Sequence, residues 1–175
     1  MPEEQTSQFD VGAEIDRYFD GSSLSNGAEP RIVILMGGPA TGKTSIRKQH
    51  FSTGYILVDA AEVFLRLSHG EYFDFPGPFH ELLDVIGPLI ARRAITERRH
   101  IVTELIGSEF ETTKALIEAM RAIGYRVDVQ AITCDIEEAQ RRNLSRSDDN
   151  ISAYYAEQYQ LSWLQDAATS AINPE

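Results

Sequence analysis

Apolar residues fall into two rhythms along this chain. Arg31–Met36 (Arg-Ile-Val-Ile-Leu-Met) is a short continuous apolar run, the pattern of a strand covered on both faces. Similar runs lie at 55–58, 100–103 and 125–133, the last with Val127, Val129 and Ala131 in alternation. Between and after them the apolar positions recur at helical spacing. Helices are expected from Ser45 onward and over 60–68, 79–98, 112–123, 136–146 and 152–168, with Gly87-Pro88 as a kink in the longest and Gly124 as a C-cap. Strands alternating with helices predict a parallel sheet wrapped by helices on both faces. Right-handed crossovers bring the carboxyl ends of the strands to one edge, where ligands bind. Asp59, Glu104 and the glycine turn after Met36 all fall at that edge.

A polar, turn-rich stretch at 21–30 separates this pattern from an N-terminal segment. There Val11, Ile15, Tyr18 and Phe19 share one face of a short helix, with Ser7 and Asp10 as a capping box. The expected division is residues 1–30 as an acidic helix and linker, and 31–175 as the main domain. The helix reads as docked on that domain, with a partner-binding arm as the alternative.

Charge modifies the picture only locally. The 175 residues hold 27 acids and 16 bases, a net −11, and residues 1–30 contribute seven acids against Arg17 alone. That balance disfavours a nucleic-acid or anionic-membrane partner. The single cysteine, Cys134, excludes an internal disulfide and favours a reducing compartment. No signal-peptide pattern and no run approaching ~18 apolar residues are present, so the reading is cytoplasmic.

The chemistry enters at residues 37–44, Gly-Gly-Pro-Ala-Thr-Gly-Lys-Thr, which match G-x-x-x-x-G-K-[ST] without a mismatch. Glycines at 37 and 42 let successive N–H groups turn into one concavity, and the helix that follows adds its positive end. Gly38, Pro39, Ala40, Thr41 and Gly42 then form the phosphate cradle. Lys43 reaches the β- and γ-phosphates, the Thr44 hydroxyl binds Mg²⁺, and Ser45 contacts the α-phosphate. No Asn/Thr-Lys-x-Asp base-reading motif follows a later strand, and no strand ends in adjacent acids. A kinase fits better than a guanine-specific switch or a motor, because it needs one carboxylate to accept a hydroxyl proton. Asp59 is the first candidate, with Glu62 one turn further as the other. Glu104 either binds an acceptor hydroxyl or holds the Mg²⁺ water shell. Arg141, Arg142 and Arg146 lie in a basic cluster before a polar hinge, as expected of a cationic lid over about 141–151. Arg92, Arg93, Arg98 and Arg99 read as solvated charges. The aromatic segment 72–79, including Phe73, either lines the acceptor pocket or packs as a surface loop.

Four stretches in this order resemble the zeta-toxin family of P-loop kinases, and more broadly the small-molecule kinases that include chloramphenicol phosphotransferase. They are the helix near Gln8-Phe9-Asp10 with its linker and the glycine turn, Val58-Asp59-Ala60-Ala61-Glu62 with His69 and Phe73-Asp74, His100-Ile101-Val102-Thr103-Glu104, and Arg141-Arg142 with Arg146. The resemblance implies a three-layer P-loop NTPase fold of the nucleotide-kinase type, with four or five mainly parallel strands in the order 2-3-1-4. It implies ATP or GTP with Mg²⁺ as cofactors and a hydroxyl acceptor such as UDP-N-acetylglucosamine. It also implies restraint by an antitoxin. Asp59 or Glu62 would be the base, Glu104 a substrate-binding residue, and the arginines lid residues. The rival readings are a nucleotide-binding regulatory module and a toxin with little intrinsic turnover.

Overall fold

A computed structural model describes residues 10–71, 74–145 and 151–173. Helix α1 spans Val11–Phe19, β1 Arg31–Met36, α2 Lys43–His50, β2 Tyr55–Leu57 and α3 Ala60–Leu67. A single 3-10 turn, Gly77–Phe79, leads into α4, His80–Thr96. Then follow β3 (His100–Leu105), α5 (Phe110–Ala122), β4 (Arg126–Ala131), α6 (Ile136–Leu144) and α7 (Ala153–Ile172).

The four strands form one parallel sheet in the order β2-β3-β1-β4. The continuous apolar runs have a direct structural cause. In β1, Ile32 and Ile34 enter the main core while Val33 and Leu35 enter a second, smaller cluster on the opposite face. Helices α1, α3, α4, α5 and α7 supply the main core, and Ile46 and Phe51 from α2 and its end pack against the smaller one. Strand β4 closes one side of the sheet and is covered least, with Val129 exposed.

Helix α1 is stapled to the domain by arginines. Glu14 is buried and pairs with Arg66 at 2.8 Å, and Arg66 lies over the Tyr18 ring at 4.5 Å. Arg93 stacks on Phe19 at 4.1 Å and binds Asp16 and Glu97. Arg98 donates to the carbonyls of Ile123 and Gly124 at the end of α5, and Arg99 to Ser22. Arg93 and Arg99 are therefore fasteners rather than solvated charges, because an aromatic face lies within reach of each guanidinium, whereas Arg98 stays exposed while donating to the helix-end carbonyls.

Helix α4 packs against α7 at Gly87, where a Cβ would lie 2.2–2.4 Å from indole carbons of Trp163. Ala is the better helix former by ~1 kcal/mol. Overpacking a tight core costs about 1–3 kcal/mol, so the clash dominates. Gly87→Ala is expected to lower unfolding stability by about 1–2 kcal/mol in urea titrations; equal or greater stability would mean that the indole has room to turn away.

Candidate functional site

The strands deliver their carboxyl ends to one cleft of about 840 Å³, shared by the turn after β1, α2, α3, the end of β3 and α7. The turn after β1 is a P-loop in shape as well as sequence. Ala40 and Gly42 adopt positive φ (61° and 104°), which curls the backbone ahead of α2. Gly37 is required for a different reason: a Cβ there would strike the carbonyl oxygen of Ile132. Lys43 is buried, and its Nζ donates to the carbonyls of Gly37 (2.6 Å) and Gly38 (2.8 Å). Thr41 Oγ1 also donates to Gly38, so the loop is held by its own side chains. The first N–H groups of α2 lie at the cleft and carry the positive end of the helix dipole.

A polar chain crosses the cleft floor. Thr44 Oγ1 donates to Glu104 Oε2 at 2.8 Å, and Arg47 Nε donates to Glu104 Oε1 at 2.6 Å. A second Arg47 nitrogen lies 3.9 Å from Glu62. The α2 helix places Thr44 and Arg47 three residues apart on one face, so both reach the same carboxylate. Register pairs Leu35 with Glu104, which puts that carboxylate beside the P-loop strand.

Asp59 stands where β2 gives way to α3. It is the N-cap of α3, and its Oδ1 accepts from the Glu62 N–H at 3.0 Å. Burial, and then the Glu104 carboxylate, push its carboxyl up to about 6, against the pull of the Glu62 N–H and Arg47. Asp59 thus caps α3 with a carboxyl whose pKa is raised. Glu62 also lines the cleft and is more exposed, at 40% of its side chain.

Of the arginine cluster, Arg142 lines the cleft, while Arg141 is exposed and held by Glu138. Arg142 shares that glutamate at 2.6 Å. Arg146 and Phe73 lie outside the described residues. In the aromatic segment, Phe75 and Phe79 pack edge-on against Phe64, and Phe75 against Tyr159. These two rings belong to the core, not to the lining of the cleft.

Residues not singled out in the sequence complete the site. Gln160 of α7 is buried, accepts from the Ala60 N–H at 3.0 Å and donates to the Glu104 carbonyl. Glu157, one turn earlier, accepts from the Gly107 N–H and the Ser108 hydroxyl, both at 2.6 Å. Thr103 Oγ1 donates to the Val58 carbonyl at 2.7 Å, tying β2 to β3 beneath the carboxylates. The available signal for Gln160 was a lone amide in the apolar stripe Ala156, Gln160, Leu164, Ala167. For Arg47 it was the three-residue step from Thr44.

The donor set fits a hard divalent cation such as Mg²⁺: a hydroxyl at the helix start with a carboxylate behind it. Among the described residues no group of three or more His, Cys, Asp or Glu side chains gathers to hold a metal. Mg²⁺ keeps several waters and takes other oxygens from substrate phosphates. No helix among the described residues is long and apolar enough to cross a membrane.

No family model matches the chain. No curated protein matches it either. Among solved structures, it is similar to a chain of the Pnkp1/Rnl/Hen1 RNA repair complex, with TM-score 0.52 and 16% identity over 85% of this chain and 49% of that one. It is also similar to a chain of the PezAT chromosomal toxin-antitoxin system of the human pathogen Streptococcus pneumoniae, with TM-score 0.55 and 15% identity over 90% of this chain and 67% of that one. The chain thus spans about half the length of the first and about two thirds of the second. What is shared at such identities is the architecture: a P-loop kinase-like α/β fold with a parallel sheet ordered β2-β3-β1-β4.

Proposed function

We propose that the protein is a nucleoside-triphosphate-dependent phosphotransferase acting on a hydroxyl of a small molecule. The observation that carries this reading is Asp59, a carboxyl with an elevated pKa at a strand end, sharing one cleft with a P-loop. In this reading the loop amides at 38–45 and Lys43 bind the phosphates. The acceptor oxygen forms a bond to the γ-phosphorus, the β–γ bridging bond breaks, the nucleoside diphosphate leaves, and Asp59 takes the acceptor proton. Thr44 would hold Mg²⁺, which supplies charge neutralisation at the phosphates when bound, and Glu104 accepts the hydrogen bond that orients the Thr44 hydroxyl. Arg142, with Arg146, would meet the charge that develops on the transferred group.

The acceptor class is narrower as a proposal than the reaction. The zeta-toxin resemblance favours a UDP-sugar such as UDP-N-acetylglucosamine, and the likeness to a toxin-antitoxin structure supports an antitoxin as partner. The RNA repair likeness brings in an RNA hydroxyl, which the net charge of −11 disfavours. The deciding experiment measures ADP release and labelled γ-phosphate transfer across UDP-sugars, nucleosides, aminoglycosides, chloramphenicol-like alcohols and a short RNA. Transfer to one class, dependent on Mg²⁺, is expected. Tight ATP binding with no transfer to any class would favour a nucleotide-sensing module instead.

A further inference from the structure

Two carboxylates at the ends of neighbouring strands repel each other, and something must fix their distance. Strand β2 is only three residues long, so its ladder to β3 ends early. Above that point the two strand ends are joined by the Val58 N–H to the Val102 carbonyl, then by Thr103 Oγ1 to the Val58 carbonyl, and finally by a side chain from α7. That side chain is Gln160. Its carbonyl oxygen holds the N–H of Ala60, next to Asp59, and its amide nitrogen holds the carbonyl of Glu104 itself. A single planar amide thus spans the backbones of both acids. It is only 2% exposed, and the same face of α7 forms one wall of the cleft through Ala153 and Ala156. Glu157 anchors that wall to the loop after β3.

We propose that Gln160 is a positioning residue for the phosphotransfer site: it fixes the separation of Asp59 and Glu104 and keeps water from between them. The proposal rests on the phosphotransferase reading for its consequence, though not for its geometry. Three groups on neighbouring elements set the field at Asp59: Glu62 on α3, Glu104 on β3 and Arg47 on α2; the Tyr18 phenol of α1 feels Asp59 but burial holds it neutral. Nearby, the ammonium of Lys43 is turned to the carbonyls of Gly37 and Gly38, and Glu157 of α7 to Gly107 and Ser108. Gln160 carries no charge, so its influence on Asp59 is through distance and hydration alone.

The test uses Gln160→Met, which removes both hydrogen bonds at similar volume, and Gln160→Asn, which keeps the amide but is one methylene too short to span both backbones. Should the first fail to fold, the second retains a polar group in the buried position. Carbon-detected NMR of the full chain reads the titration of the Asp59 carboxyl directly, with no acceptor needed. Loosening the brace admits water and draws Glu104 away, so the Asp59 midpoint is expected to fall toward the ordinary carboxylate range in both variants. Turnover is expected to drop about 10- to 100-fold, as for an ångström-scale misplacement, with nucleotide affinity little changed. A lowered melting temperature with an unmoved Asp59 midpoint in both variants would overturn the proposal, because that is the mark of packing alone. Failure of the wild-type chain to transfer phosphate would instead remove the functional reading and leave the Asp59 titration legible.

Discussion

Asp59→Asn is expected to abolish most turnover while making the protein more stable at neutral pH. The two effects share one cause. Burial and the Glu104 carboxylate raise the Asp59 carboxyl to about 6 in the folded chain, above its ordinary value of 3.8. Between those values the folded state binds more proton than the unfolded state, so stability falls as pH rises through that window. Above it, the ionised carboxylate is a standing cost. The raised pKa corresponds to roughly 3 kcal/mol for a fully buried group. Asp59 borders an open cleft, and screening by solvent leaves about 1–2 kcal/mol. Asparagine removes that cost and still caps α3, since its side-chain oxygen can accept from the Glu62 N–H. Urea unfolding should therefore show a gain of about 1–2 kcal/mol at pH 8 and little near pH 3.5, where wild-type Asp59 is protonated in the folded chain and mostly so in the unfolded one. Loss of a general base lowers the rate by about 10²–10⁴. Wild-type turnover should rise with pH through a midpoint near 6, the value at which Asp59 becomes ionised. Turnover within a few-fold of wild type in Asp59→Asn would move the base to Glu62, which lines the same cleft.

The pairing of cost with position explains what could be read from the chain and what could not. Strand β1 was legible because both faces are buried, so every residue from Ile32 to Leu35 had to be apolar. The P-loop was legible because its backbone path admits few residue types, as Gly37 against Ile132 illustrates. Asp59 and Glu104 stood out as single acids at the ends of apolar runs. Element ends were harder. Helix α5 begins at Phe110, which is 70% exposed and carries no burial signal. Helix α7 runs on to Ile172, beyond its last buried residues Ala167 and Ala168. Contacts between distant segments were hardest of all. Arg93 reads as a surface charge until α1 brings Phe19 and Asp16 against it, more than seventy residues away. Gln160 reads as one amide in a helix until the sheet brings Ala60 and Glu104 to either side of it, more than fifty residues away from each. Local pattern specifies which face of an element is buried; it does not specify which partner arrives there.

Lys43→Ala is expected to cost about 10²–10³-fold in nucleotide-dependent turnover, with weaker triphosphate binding. The reason lies in where the charge is held. The Lys43 ammonium is only slightly exposed and already donates to the carbonyls of Gly37 and Gly38 at the mouth of the loop. A cation fixed in that position faces the space that the phosphates enter, with the N–H groups of the first turn of α2 beside it. A buried charge lining the cleft counts most where negative charge builds up on the leaving oxygen, so its loss is expected to weigh more on the transition state than on the ground state. Lys43→Arg should not rescue. The planar guanidinium is longer and cannot lie between two loop carbonyls as a compact ammonium does. Because the lysine also ties the loop to itself, thermal unfolding has to be followed in parallel. A melting temperature shifted by a few degrees with turnover near zero assigns the loss to chemistry. Unchanged turnover in Lys43→Ala would instead remove the P-loop from the reaction, and with it the role of Asp59 as the base across the cleft.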